Sequence, residues 1–288
     1  MTARENLPAL RDAIEALARQ SPLEDRDAAR AAVARLLRAL ERGEVRAAER
    51  KGDSWEAVRW VKEGILLAFR AGVTAPYPEG GNGSAAFQFF DRDTLPLRRT
   101  RGVEEKVRIV PGGSSVRAGA YLAPGVVIMP PAYVNVGAWV GEGTMVDSHA
   151  LVGSCAQIGA RVHLSAGAQI GGVLEPVGLR PVVVEDEVMV GANAGVFEGV
   201  VVGARAVLAP GVQLTAATPL VDLVKGEIYR SVPGRPVSVP AGAVVVPGTR
   251  PARGEYALAN GIQLYAPIIV KYRDEKTDAA TALEEVLR

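Results

Sequence analysis

From Val110 onward an aliphatic residue returns at every sixth position: Val110, Val116, Leu122, Ile128, Val134, Val140, Val146, Val152, Ile158, Leu164 and Ile170. The fourth residue after each of the first ten is small or β-branched, from Ser114 and Ala120 to Val162 and Ala168. The rule lapses and then resumes at Val184, Val190, Val196, Val202, Leu208 and Leu214. A period of six fits neither an α-helix nor a plain amphipathic strand. It fits short flat strands joined by tight corners, each strand sending one aliphatic side chain inward, which is the pattern of a parallel β-helix. Three hexads close one triangular coil, so residues 18 apart stack at about 4.8 Å, and the whole array makes roughly five to six coils. Glycines such as Gly119, Gly125, Gly153 and Gly159 recur at the expected corners.

The length of 288 residues suits one large domain with appendages or two to three small ones. A net charge of +1 gives no reason to expect a nucleic-acid or membrane partner. The single Cys155 excludes an internal disulfide framework and fits a reducing compartment. The opening residues lead into a charged amphipathic stretch rather than a signal peptide, and no apolar run reaches membrane-span length. The expected location is the cytoplasm. With two histidines and one cysteine, the three-histidine zinc site that some β-helix enzymes carry is not available, so no metal is expected. There is also no phosphate-loop or dinucleotide glycine motif.

Residues 1–106 read as a helical N-terminal domain with a linker. One helix is expected over residues 4–19, a second over Asp27–Arg42, and a third starting near Asp53 as its N-cap. Pro76–Ser84 reads as loop, followed by the aromatic run Phe87-Gln88-Phe89-Phe90. Residues 107–218 read as the coil, with an excursion loop at 171–183 whose eight surplus residues must leave the prism. Residues 219–288 read as a small C-terminal β/α segment, with a strand at Leu264–Tyr272 and a helix at Thr277–Arg288.

Several polar residues interrupt the repeat. Asp147 follows inward-facing Val146 where most coils carry Gly, Ala, Asn or Ser; an aspartate there either caps a turn or does chemistry. His149 lies two residues on, on the same side if the segment is a strand, and a histidine beside an aspartate can serve as a base. Arg108 opens the coil as an exposed strand-edge arginine or a carboxylate ligand. Arg117 is a weaker candidate, and His163 reads as structural or as a groove contact.

The run Glu142-Gly143-Thr144-Met145-Val146-Asp147, then Val152-Gly153-Ser154-Cys155-Ala156-Gln157-Ile158-Gly159, then Ile170-Gly171-Gly172-Val173-Leu174-Glu175-Pro176 resembles the tetrahydrodipicolinate N-succinyltransferase family. Trp60-Val61-Lys62-Glu63 resembles its helical N-terminal domain, and Gly226-Glu227-Ile228, Val239-Pro240-Ala241-Gly242 and Ile268-Ile269-Val270-Lys271 its C-terminal segment. The resemblance implies a left-handed β-helix and a homotrimer with active sites between neighbouring prisms. It implies transfer of succinyl from succinyl-CoA, a co-substrate, to the amine of ring-opened tetrahydrodipicolinate, with no tightly bound cofactor. In that family the aspartate matching Asp147 contacts the acceptor near its amine, and the arginine matching Arg108 binds a substrate carboxylate. His149 stands where the family commonly has an aromatic residue, and is carried here as a substrate contact.

A second departure bears on the donor. Many such enzymes carry an acid four residues after the glycine matching Gly191, and here that place holds Gly195. This segment looks more like tetrahydrodipicolinate N-acetyltransferase, with Glu198 nearby as a substitute catalytic acid or as a plain surface carboxylate. For the CoA phosphates the late cations Lys225, Arg230, Arg235 and Arg250 are available, each equally readable as a surface charge. The expected function is therefore N-succinyl transfer by direct attack in a ternary complex. N-acetyl transfer and acyl transfer to another amine are the alternatives, and a non-catalytic β-helix scaffold is a further reading.

Overall fold

The computed structural model describes residues 5–77, 89–232 and 236–274. The expected helix at Thr277–Arg288, most of the loop and aromatic run from 78 to 88, and Arg235 lie outside those residues.

Two-residue strands repeat along the coil and stack in parallel into three sheets. The three faces carry Met145, Leu151 and Trp139, one on each. On the Met145 face, Val146 pairs with Ile128 and Leu164; on the Leu151 face, Val152 pairs with Val134 and Ile170. On the Trp139 face, Val140 pairs with Leu122 and Ile158. The second residue of each strand points inward, and every hexad position from Val116 to Leu214 is buried. Together they form one continuous apolar column.

The hexad frame misses at its first position. Ile109, not Val110, stacks on Ile128. Gly112 and Gly113, both at positive φ, fit one extra residue into the turn that follows. The frame also runs further than expected. After Leu214 the chain leaves the prism, then returns to lay Ser238–Val239 on Val201–Val202 and Val244–Val245 on Val207–Leu208. The ladder therefore continues beyond the expected boundary at 218. Ala243–Pro251 then runs out of the coil and pairs antiparallel with Gln263–Tyr272.

Corners adopt a left-handed backbone at glycines such as Gly137 and also at His149, Cys155 and Glu198. Other corner glycines are there for space: a Cβ on Gly159 would lie 2.4 Å from Asp186 Oδ1.

Helices α1 (Leu7–Ala18) and α2 (Arg26–Glu41) form close to the expected places, capped by the side chains of Asn6 and Asp25. The third helix, α3 (Arg59–Ala71), starts later than expected. Asp53 is not its N-cap. It sits in the turn of a hairpin, Ala48–Lys51 with Ser54–Ala57, where Gly52 takes positive φ. The helices bury their apolar stripes together with Ala118, Val136 and Cys155, along the edge between the Leu151 and Trp139 faces.

Residues after Arg42 cover the Trp139 face itself. Arg46 lies 4.0 Å above the Trp139 ring centroid, and its Nε donates to Gln157 Oε1 at 2.9 Å. Gln157 is turned to receive it because its own amide nitrogen donates to the carbonyl of Cys155. Among the described residues, the N-terminal domain thus covers one edge and one face of the prism and leaves the opposite edge open.

The excursion of residues 171–182 folds back on the same chain. Lys62 Nζ donates to the carbonyls of Pro176 and Leu179 at 3.1 and 2.7 Å. Arg180 donates to the carbonyl of Gly199, and Leu174 packs among the helices.

Candidate active site

The open edge lies between the Met145 and Leu151 faces. Its first corner position holds, coil by coil, Met129, Asp147, Ser165, Gly191 and Ala209. Asp147 is the single acid in that stack. It is half-buried, and its Oδ1 accepts from the Ser148 N–H at 2.7 Å. Oδ2 stands 3.8 Å from His163 Nε2.

His163 occupies the outward position of its strand, in register with Met145 and Met189. Its Nε2 is buried and has no hydrogen-bond partner among the described residues. The sequence reading of His163 as structural or a groove contact did not connect it to Asp147, because it looked along the strand from that aspartate. The partner instead lies one coil on, 16 residues along the chain and two short of the 18-residue stacking register, so the signal that finds it is a polar residue near, rather than at, that spacing.

Arg108 lies on the same face. It is exposed and in register with Val127, which in turn is in register with Met145. Two rungs separate Arg108 from Met145, about 10 Å along the axis. Between them Val127 and Met145 present a half-buried apolar strip. The open edge therefore offers a cation at one end, an apolar floor, and a carboxylate and imidazole at the other.

The remaining expected residues are placed differently. His149 does not share a strand with Asp147, because that strand ends at Val146. His149 sits at the corner with φ near 62°, exposed, its N–H donating to the Pro131 carbonyl. Glu198 follows the Gly195–Val196 strand, at the edge between the Leu151 and Trp139 faces, and accepts from the Ala216 N–H at 2.9 Å. Within one chain it is therefore on a different edge from Asp147. Arg117 is paired with Asp91 and ties Phe90–Arg92 to the coil rather than facing the open edge. Lys225 and Arg230 are exposed at the end of the Met145 sheet opposite Arg108, with Lys225 Nζ 4.9 Å above the Tyr272 ring.

At Gly195 an aromatic ring takes the room that a side chain would need. A Cβ there would lie 2.4 Å from Phe197 Cε2 and 2.3 Å from Gln213 Oε1.

A cavity of about 490 Å³ lies elsewhere, between the hairpin and the Trp139 face, lined by Arg46, Trp55, Trp139 and Glu185. Its polar groups are mutually engaged: Glu185 accepts from Trp55 Nε1, and Asp186 accepts from the Ala160 N–H. It is part of the docking of the N-terminal domain and does not reach Asp147. Among the described residues no group of three or more His, Cys, Asp or Glu is gathered as a metal site, and no helix is long and apolar enough to cross a membrane.

Comparison with known proteins gives matches along most of the chain. Residues 9–71 match the family described as tetrahydrodipicolinate N-succinyltransferase N-terminal, and residues 181–216 the hexapeptide repeat of succinyl-transferase. The 2,3,4,5-tetrahydropyridine-2,6-dicarboxylate N-succinyltransferase of Gluconobacter oxydans is 46% identical, over 97% of this chain and 98% of that protein. Its counterpart from an Azoarcus species is 44% identical, over 96% of each. A crystal structure of a tetrahydropyridine-2-carboxylate N-succinyltransferase from Campylobacter jejuni shares the fold at TM-score 0.50 and 19% identity. That match covers 83% of this chain and 62% of the other.

Proposed function

The chain belongs to the tetrahydropyridine-dicarboxylate N-succinyltransferase family of lysine and diaminopimelate biosynthesis, and from that premise we propose how its open edge performs the transfer. The enzyme is a CoA-dependent acyltransferase moving succinyl from succinyl-CoA to the amino group of ring-opened tetrahydrodipicolinate. The coil winds left-handed, the working form is a cytoplasmic homotrimer, and the open edge of one prism is closed by the next.

The observation that carries this reading is the placement of Arg108 two rungs from Met145, whose strand leads into the corner that holds Asp147, along one strip left uncovered by the described residues. An extended dicarboxylate laid on Val127 and Met145 places one carboxylate on the Arg108 guanidinium, whose planar fork suits it. Its amine then reaches Asp147. The amine attacks as a neutral group, so a nearby carboxylate must take its proton. Backbone N–H groups at the corners polarise the thioester carbonyl where negative charge develops. Holding both substrates in line contributes as much as any one side chain.

His149 contacts the acceptor at the same corner, and Lys225, Arg230 and Arg235 hold the phosphates of CoA. Glu198 joins the catalytic groups through a neighbouring copy, since in its own chain it lies on another edge.

The test is a thiol-release assay with the open-chain acceptor, comparing succinyl-CoA with acetyl-CoA. A preference for succinyl-CoA of tenfold or more is expected. Preference for acetyl-CoA moves the donor assignment to acetyl transfer, the activity that Gly195 favours. Silence with both donors refutes the reaction.

A further inference from the structure

We propose that His163 is the positioning residue for Asp147, fixing its carboxylate so that it receives the amine proton; this rests on the reaction assigned above. Two observations carry it. On a half-exposed imidazole, the Nε2 of His163 is itself buried and has no hydrogen-bond partner among the described residues, and a buried polar atom left unsatisfied calls for an explanation. The acid facing it among the described residues is Asp147, whose Oδ2 lies 3.8 Å away.

The other oxygen, Oδ1, is already held by the Ser148 N–H at 2.7 Å. An Nε2–H donor on Oδ2 completes the restraint, so both oxygens are fixed and the carboxylate plane is set. At 3.8 Å the contact is longer than a hydrogen bond. Catalytic contacts of this kind are often long in the empty enzyme and tighten when substrate binds. The strands on either side add no competing charge, because the positions in register with His163 are Met145 and Met189. Arg161, in the corner before His163, is engaged by Glu187. His149, beyond Asp147, is exposed at its own corner.

During transfer the amine nitrogen bonds to the thioester carbonyl carbon and the C–S bond breaks. The proton leaving nitrogen goes to Asp147 and ends on the CoA sulfur. His163 forms no bond to substrate; it acts through Asp147.

The experiment is steady-state kinetics of His163→Phe and His163→Gln, each alone and with Asp147→Asn. His163→Phe should lower kcat by about 10- to 100-fold, the range of a lost charge-assisted hydrogen bond, with both KM values within threefold. His163→Gln, which places an amide N–H near the Nε2 position, should recover kcat to within fivefold. In the Asp147→Asn background His163→Phe should cost nothing further, because the two act as one unit. Wild-type kcat in His163→Phe, equal losses in Phe and Gln, additive losses with Asp147→Asn, or a loss confined to the succinyl-CoA KM would each overturn the proposal.

A second measurement needs no turnover. With two histidines in the chain, the His149→Asn variant isolates the His163 imidazole nitrogen resonances. The Nε2 resonance should move on Asp147→Asn, and one that stays put breaks the coupling. An enzyme inactive with both donors would instead sink the assigned reaction and leave this second measurement standing.

Discussion

Lys62, buried on α3, reaches out of the N-terminal domain to donate to the Leu179 carbonyl at 2.7 Å. A second bond to the Pro176 carbonyl makes this lysine the pin that holds the excursion against its own chain. Lys62→Met keeps the apolar stem and removes both donors, leaving the carbonyls behind. A lost partner of this kind costs about 1–3 kcal/mol. Urea unfolding should register that loss, and amide exchange within 171–182 should rise at least tenfold. Unchanged exchange would mean that Leu174 and Arg180 hold the loop without the lysine.

Cys155 supplies a pH test with a definite sign. Burial pushes its thiol from 9.0 up to about 12, with Lys62 nearby pulling the other way. The unfolded chain therefore releases this proton first. The group's contribution to stability is intact below pH 9 and is lost as pH rises from about 9 toward 12, by about 1.4 kcal/mol per unit crossed. Lys62 acts oppositely, because burial lowers its pKa and stability gains as pH climbs toward its ordinary value. Comparison with Cys155→Ala isolates the thiol. The variant should lose less stability than the parent between pH 9 and 11, by urea unfolding at each pH. In the native state Cys155 should also resist alkylation at pH 8 and react only on unfolding.

The coil was legible because one side chain per strand must point inward, and that rule writes itself into every sixth residue from Val116 to Leu214. It failed where backbone geometry rather than burial decides. Gly112 and Gly113 shift the first strand by one residue, so Ile109 takes the place expected for Val110. The return of Val239 and Val245 to the ladder was hidden by a long intervening excursion. Asp53 looked like a helix cap because hairpin turns and caps favour the same residue types. At the site, Asp147 stood out as an acid among small corner residues. Its relation to His163 did not, because their contact depends on stacking across a coil rather than on neighbouring positions.

Gly195 and Phe197 should be energetically coupled. An added methyl at 195 meets the Phe197 ring at 2.4 Å and the Gln213 side chain at 2.3 Å. Gly195→Ala should destabilise by about 1–3 kcal/mol, the usual cost of overpacking. Pairing it with Phe197→Ala opens the space, so the two changes together should cost less than the sum of the singles. A strictly additive pair in urea unfolding would show that Phe197 swings aside without penalty.

Asp147→Asn tests the centre of the proposed chemistry. Asparagine keeps the shape and can still accept from the Ser148 N–H through its carbonyl oxygen. It cannot take up the amine proton, and general-base losses are typically about 10²- to 10⁴-fold. The expected outcome is a drop in kcat of at least about 100-fold with the unfolding midpoint and assembly size unchanged. The fold should tolerate the change because the carboxylate is half-buried at a corner while the neighbouring Val146 carries the core packing. Unchanged turnover would remove Asp147 from the reaction. A parallel loss of stability would mark it as a turn cap, the other role an aspartate at this corner can serve.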